Sequence, residues 1–289
     1  MPAISLDANI LANNHQLYRI MNRLQTTMEQ MSTGLRINHA KDDPAGLIAS
    51  ERMRSDMTAM DQAIRNTERA DSVLKLADSA MGQLNTLLDK GLELALHAAN
   101  TGAVSPAEIE ANQMELDQIL KSVDRIANTT KYMDTRLLDG TQSAANGGLK
   151  FQIGTDVVPS QQVRVSIESM GTEALGGDSG KLYQLASGGV ADLKTDPAAA
   201  AAILNEAISQ VSMQRGAIGA IQKQTLAPNK AVLESTLVAT TAAEAQISNA
   251  DMVEVFSNLM RDQLLMQNTI RVGQILNQTA ASISQYLMG

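Results

Sequence analysis

Two runs of residues, one near each end of the chain, share the spacing of a helical seam and bracket a middle that lacks it. Leu17, Met21, Leu24, Met28 and Met31 step by four and three. Val272, Leu276, Thr279, Ile283 and Tyr286 repeat those steps, with Thr279 the one polar member. Alternating steps of four and three keep side chains on one stripe of an α-helix, the stripe two helices use to pack. A helix with a single apolar stripe has little to bury alone. Each terminal run therefore needs a partner helix, and the nearest candidates are the other run and identical copies of the chain.

Composition narrows what lies between. Hydrophobic residues make up 44% of the 289 positions, enough for a core, but aromatic residues only 2%, and Trp is absent. Packing falls to Ala, Leu, Ile and 16 Met, which favours thin helical layers over a thick core. A net charge of -8 without a basic run argues against nucleic-acid binding. With no Cys, disulfides and thiolate metal sites are excluded. The start, Met1-Pro2-Ala3-Ile4 followed by Asp7, Asn9, Asn13 and Asn14, lacks the basic and apolar regions of a cleavable signal peptide. No run approaches the ~18 apolar residues of a membrane span, so no membrane insertion is expected.

Punctuation along the chain sets the order of elements. A first helix is expected from about Asp7 to Met31, ended by Gly34. Asp43-Pro44 opens a second, long helix to about Asn100, with a turn at Thr101-Gly102-Ala103-Val104. Ser105-Pro106-Ala107-Glu108 carries a capping box and starts a third helix to about Thr130. Glycines then become dense, and Leu149–Ile153 and Val163–Ile167 read as the strands of a β-hairpin. Asp196-Pro197 restarts a helix, Pro228 predicts a kink, and a joint falls near Ser248-Asn249-Ala250-Asp251 before the last helix. The expected fold class is mainly α: an elongated out-and-back α-helical rod with an antiparallel coiled-coil bundle, paired terminal helices and a small β-hairpin tip.

Catalytic chemistry finds no footing. His15, His39 and His97 lack metal-ligand spacing, and Asp42-Asp43 before Pro44 reads as a cap and turn. No phosphate-binding glycine loop and no paired nucleophile and His occur, so no catalytic residue, metal or cofactor is expected. Amides outnumber charges on the terminal helices, among them Asn13, Gln16, Gln267, Asn268, Gln274 and Asn277. Amides tolerate burial when paired and do not repel identical copies, which favours self-association.

Specific motifs carry a resemblance to bacterial flagellin. They are Met31-Ser32-Thr33-Gly34-Leu35-Arg36-Ile37-Asn38 and Ala40-Lys41-Asp42-Asp43-Pro44-Ala45-Gly46-Leu47, followed by Leu137-Leu138-Asp139-Gly140, Phe151-Gln152-Ile153-Gly154 and Ile247-Ser248-Asn249-Ala250-Asp251. The resemblance singles out Gly34, Arg36, Asn38, Asp42, Asp43 and Gly46 as a connector motif. It implies a secreted, extracellular filament subunit, exported through the flagellar type III apparatus and self-assembling into a hollow helical homopolymer for swimming. A flagellar export chaperone, the filament cap and hook-junction proteins are the implied partners. The implied division is 1–34 as the N-terminal helix of a filament inner core, 35–55 as connector and 56–138 as N-terminal rod helices. The Gly-rich tip then covers 139–195, the C-terminal rod helix 196–248 and the C-terminal inner-core helix 249–289. The gap from Lys131 to Thr195 is short for this family, which implies a minimal form without large outer variable domains. Lys90, Leu94 and Glu115 fall at the positions that an animal innate flagellin receptor contacts, with Lys where the family has Arg and Leu92 replacing a second basic residue.

Two other readings compete. A hook–filament junction protein shares the terminal coiled coil and an Asp-Asp-Pro motif like Asp42-Asp43-Pro44. The Leu137–Gly140 and Phe151–Gly154 matches favour flagellin. A cytoplasmic coiled-coil adaptor would form small soluble oligomers instead of long filaments.

Overall fold

The computed structural model describes residues 2–100, 102 and 104–288, and side chains over residues 8–100, 102 and 104–282. Thr101 and Ala103 of the expected turn lie outside the described residues. The fold is mainly helical. Helix α1 spans Pro2–Thr33, opening earlier than expected, and α2 spans Pro44–Ala99 without interruption. At ~1.5 Å per residue, α2 is about 84 Å long. Helix α3 covers Pro106–Thr129 behind the anticipated capping box. There the Glu108 amide donates to Ser105 Oγ at 3.3 Å and the Ser105 amide to Glu108 Oε2 at 2.7 Å.

Three small antiparallel hairpins follow. Strands β1 (Lys131–Tyr132) and β2 (Thr135–Arg136) form the first. Strands β3 (Leu149–Gln152) and β4 (Gln162–Val165) form the expected one, with Leu149 opposite Val165 and Gln152 opposite Gln162. Strands β5 (Gly176–Gly177) and β6 (Gly180–Lys181) form the third. Two-residue strands carry no periodicity, so the first and third hairpins have no signature in the pattern. Helix α4 (Pro197–Ile221) is capped by Asp196, whose Oδ1 accepts from the Ala199 amide at 2.9 Å. A five-residue π turn, Gln222–Leu226, leads into α5 (Ala227–Ser248). The sequence predicts a kink at Pro228; the structure has this wider turn just before it, which leaves room for the proline ring, and the helix then resumes. Helix α6 runs Met252–Met288.

The chain divides into two compact units. One comprises residues 58–237. In it α2 runs antiparallel to both α3 and α4. His97 meets Asn112 at 2.9 Å, Asp78 pairs with Arg215 at 2.8 Å, and Gly91 lies against Leu116 and Leu204. Its core is aliphatic: Leu74, Leu84, Leu88, Leu116, Leu204 and Val211 are fully buried, and Val165 and Ile167 extend the core under the hairpins. The other unit joins residues 1–57 to 238–289 and contains both chain ends.

Candidate assembly interface

Helices α1 and α6 pack antiparallel. Arg23 Nη2 meets Asp262 Oδ1 at 3.0 Å, and roughly three turns earlier on α1 Asn13 lies against Gly273. A Cβ at Gly273 would stand 2.7 Å from Asn13 Nδ2, so any larger residue would make the end of the Asn13 side chain swing aside. The face of α6 turned inward is Val255, Leu259, Asp262, Met266, Thr269, Gly273, Leu276 and Ala280, stepping strictly by four and three. Opposite it lie Asn13, Leu17, Ile20, Leu24 and Thr27.

This seam is offset from the one that apolarity alone selects. Leu17, Leu24 and Leu276 are half-buried in it, whereas Met21, Met28, Met31 and Val272 are exposed. The side chains of Ile283 and Tyr286 lie outside the described residues. Buried polar groups cause the offset. Thr27 satisfies its hydroxyl by donating to the Arg23 carbonyl at 2.9 Å, and Asp262, 2% exposed, takes the Arg23 guanidinium. Satisfied polar groups can occupy seam positions at little cost, which a count of apolar residues overlooks. The missed signal was an opposite charge at matching antiparallel positions, Arg23 and Asp262.

The displaced apolar residues are ordered. Met21 and Met28 each follow a seam residue of α1, and Phe256 and Met260 each follow one of α6. In an antiparallel pair, the position after a seam residue lies on the same flank of both helices. The pair therefore presents a half-exposed stripe of thioether and aromatic groups beside its closed seam.

Where α1 ends and α6 begins, the two connectors clasp each other. Gly34 adopts φ +72°, a left-handed conformation suited to glycine, and stops α1. Leu35 and Asn249 form an antiparallel bridge, with the Arg36 amide donating to the Ser248 carbonyl at 2.7 Å and the Ala250 amide to the Gly34 carbonyl at 3.0 Å. The Arg36 guanidinium donates twice to the Ile247 carbonyl, at 3.1 Å from Nε and 2.8 Å from Nη2. That carbonyl belongs to the last turn of α5, where orphan acceptors and the helix dipole both favour a cation.

Every member of the connector motif has a bond here. Asn38 Nδ2 donates to the Leu35 carbonyl at 3.0 Å. Asp42 Oδ2 accepts from the His39 amide at 2.9 Å and the Asn38 amide at 3.2 Å. The His39 amide, then opposing partial desolvation, then the Asn38 amide set the Asp42 carboxyl, which ends below its usual range. Asp43 Oδ1 caps α2 by accepting from the Gly46 amide at 2.9 Å, and its other oxygen lies 3.8 Å from Arg36. Ile37 is buried beneath the clasp. Further along, Arg54 Nε binds the buried Glu244 at 2.8 Å, a pair with no local sequence signal because 190 residues separate its members.

Shallow clefts of about 300 and 370 Å³ lie beside Asn22–Thr27 and beside Thr26, Gln30, Arg36 and Asp43. Among the described residues, no cluster of three His, Asp or Glu side chains is arranged to hold a metal ion, and no helix is long and apolar enough to cross a membrane. In the other unit, Lys90 and Glu115 are exposed and Leu94 is half-buried on the antiparallel helices α2 and α3.

Long helices, closed chain ends and an apolar flank left beside the seam define a helical structural protein built to associate. Comparison with known proteins gives that class a family. The bacterial flagellin N-terminal helical region matches residues 4–143, and the flagellin C-terminal helical region matches residues 201–287. A flagellin of Bacillus subtilis is 33% identical over 283 residues, spanning 91% of this chain and 92% of its own length. A Listeria monocytogenes flagellin is 29% identical, over 98% of this chain and 99% of its own length. A Treponema phagedenis protein described as a flagellar filament 33 kDa core protein is 28% identical, over 91% of this chain and 92% of its own length. The chain belongs to the bacterial flagellin family.

Proposed function

We propose that this chain is the structural subunit of a bacterial flagellar filament, in which copies polymerise through their paired ends into a hollow helical tube that drives swimming. The observation that carries this reading is the apolar flank beside a closed seam. Met21, Met28, Phe256 and Met260 remain half-exposed although α1 and α6 have already found each other. Such a stripe is covered when a second pair of ends lies against it. Neither the hook–filament junction protein nor the cytoplasmic adaptor is favoured, since the relatives described above are flagellins and a filament core protein. The filament is extracellular and the chain reaches it through the flagellar export apparatus. An export chaperone, the filament cap and the junction proteins are its other partners. The rod surface around Lys90, Leu94 and Glu115 is the one an innate flagellin receptor would read, with Lys90 offering a point charge in place of the planar fork of Arg.

The test is removal of both ends, before about Met31 and after about Asp251. The trimmed protein is expected to stay folded and to stop polymerising. Normal filaments from trimmed protein would overturn the assembly role of the ends. Abundance in sheared filaments separates the filament subunit, which fills every row, from a junction protein confined to a few.

A further inference from the structure

We propose that the methionines of the terminal helix pair are a peroxide-modifiable site, and that their sulfoxidation blocks assembly of the free subunit. The proposal rests on the filament reading above. Met21, Met28 and Met31 on α1 and Met252 and Met260 on α6 are 41–50% exposed. Met21, Met28 and Met260 lie on the flank, and Met31 and Met252 lie where the seam register runs out at the clasp end, all at places where leucine would serve packing equally well. In the other unit Met81 and Met170 are 0% and 2% exposed, out of reach of a solvent oxidant, whereas Met114, Met133 and Met213 are 59%, 78% and 64% exposed and do not belong to the helix pair. The substrate is hydrogen peroxide. A sulfur lone pair attacks one peroxide oxygen, the S–O bond forms as the O–O bond breaks, and the departing hydroxide takes the proton of the sulfur-bound oxygen, leaving sulfoxide and water. The sulfur loses two electrons and the peroxide gains them, so no other reductant or oxidant is needed. The product is a polar, chiral sulfoxide in place of a flexible apolar group. Five such changes on one helix pair convert a stripe suited to burial against another copy into one that must be desolvated. The closed seam is less affected, because Ile20, Leu24, Thr27, Val255, Leu259 and Asp262 are not oxidised by this reagent and Met266, which shares the seam, is half-buried.

The experiment treats full-length monomer with hydrogen peroxide, maps sulfoxides by peptide mass spectrometry, and measures the critical concentration for polymerisation. The expected result is sulfoxide at these five positions and at the exposed Met114, Met133 and Met213, unchanged helicity, and a rise in critical concentration of at least about tenfold that methionine sulfoxide reductases reverse. A variant with all five residues changed to Leu, a volume-conserving swap, is expected to polymerise with or without peroxide. Wild-type protein that carries the five sulfoxides yet polymerises at an unchanged critical concentration overturns the proposal. So does equal peroxide sensitivity in the Leu variant, which would move the damage elsewhere. If untreated wild type fails to polymerise at all, the filament reading itself is what has failed.

Discussion

Residues 58–237 and the unit built from the two chain ends solve the same packing problem with opposite materials. The first buries Leu74, Leu84, Leu88, Leu116 and Leu204 to 0% exposure where α2, α3 and α4 meet. Burying a leucine contributes about 2 kcal/mol, so a few such contacts can sustain a fold. The second closes its seam with Ile20, Val255 and Leu259 interleaved with Thr27, Asp262, Thr269, Gly273 and Ala280, and leaves other large apolar groups outside. The difference separates a body that is complete in one chain from a surface that is completed by several. It also explains why the terminal unit depends on polar bonds at its clasp.

The largest expected contrast comes from matched truncations. Leu204→Ala should cost about 3 kcal/mol and lower the melting temperature of the monomer by roughly 6–12 °C. Ile20→Ala should leave that transition nearly unmoved while raising the critical concentration for polymerisation. Equal melting shifts from the two would break the comparison. Next in size, Arg36→Ala removes both donors to the Ile247 carbonyl and should weaken the clasp by about 1 kcal/mol. Hydrogen exchange at the Ala250 amide reports it, and Arg36→Lys should restore little because one ammonium cannot supply the paired geometry. In the other direction, Met133 holds φ +54° at the β1–β2 turn while 78% exposed. Met133→Gly should relieve about 1 kcal/mol of backbone strain and raise the melting temperature by roughly 2–4 °C. A lower melting temperature would show the side chain stabilises the turn.

The smallest effect concerns pH. Asp192 is buried, and the Thr195 hydroxyl, ahead of the opposing desolvation and the Thr195 and Gly188 amides, brings its carboxyl below the usual range. A native pKa below the unfolded value means the unfolded chain binds more protons between the two. The contribution to stability is therefore complete above the unfolded value near pH ~4 and fades as pH falls through the lower native one. Asp192→Asn should flatten the acid limb of the stability profile for residues 58–237 and leave the neutral region level apart from a constant loss. An unchanged acid limb would remove Asp192 from the account.

Helix starts were legible because their causes are local. Asp43-Pro44, Ser105-Pro106 and Asp196-Pro197 each supply cap and first-turn residue within a few positions, and each begins a helix in the structure. The connector motif was legible as a unit, though its bonds to Ile247, Ser248 and Ala250 come from the far end of the chain. The seam was harder. Its stripe was visible, but its position depends on Thr27 and Asp262, which become acceptable only once their partners are in place. The β5–β6 hairpin was hidden for the same reason: Gln210 of α4 binds both the amide and the carbonyl of Gly176, and Glu206 binds Ser179. Pro228 predicted a kink, whereas the π turn at Gln222–Leu226 has no signature in the apolar spacing.

The sparse α1–α6 seam also bears on kinetics. Strongly interlocked leucines would hold the two ends together through any pull, and the barrier to parting them would scale with every contact formed. Here the fully apolar contacts are few, chiefly Ile20, Val255 and Leu259, and they are joined by the Arg23–Asp262 pair and the clasp around Leu35 and Asn249. Tension applied to either end should therefore peel the helices apart one turn after another at low force. Ends that come undone easily and refasten in company suit a subunit that assembles with copies of itself.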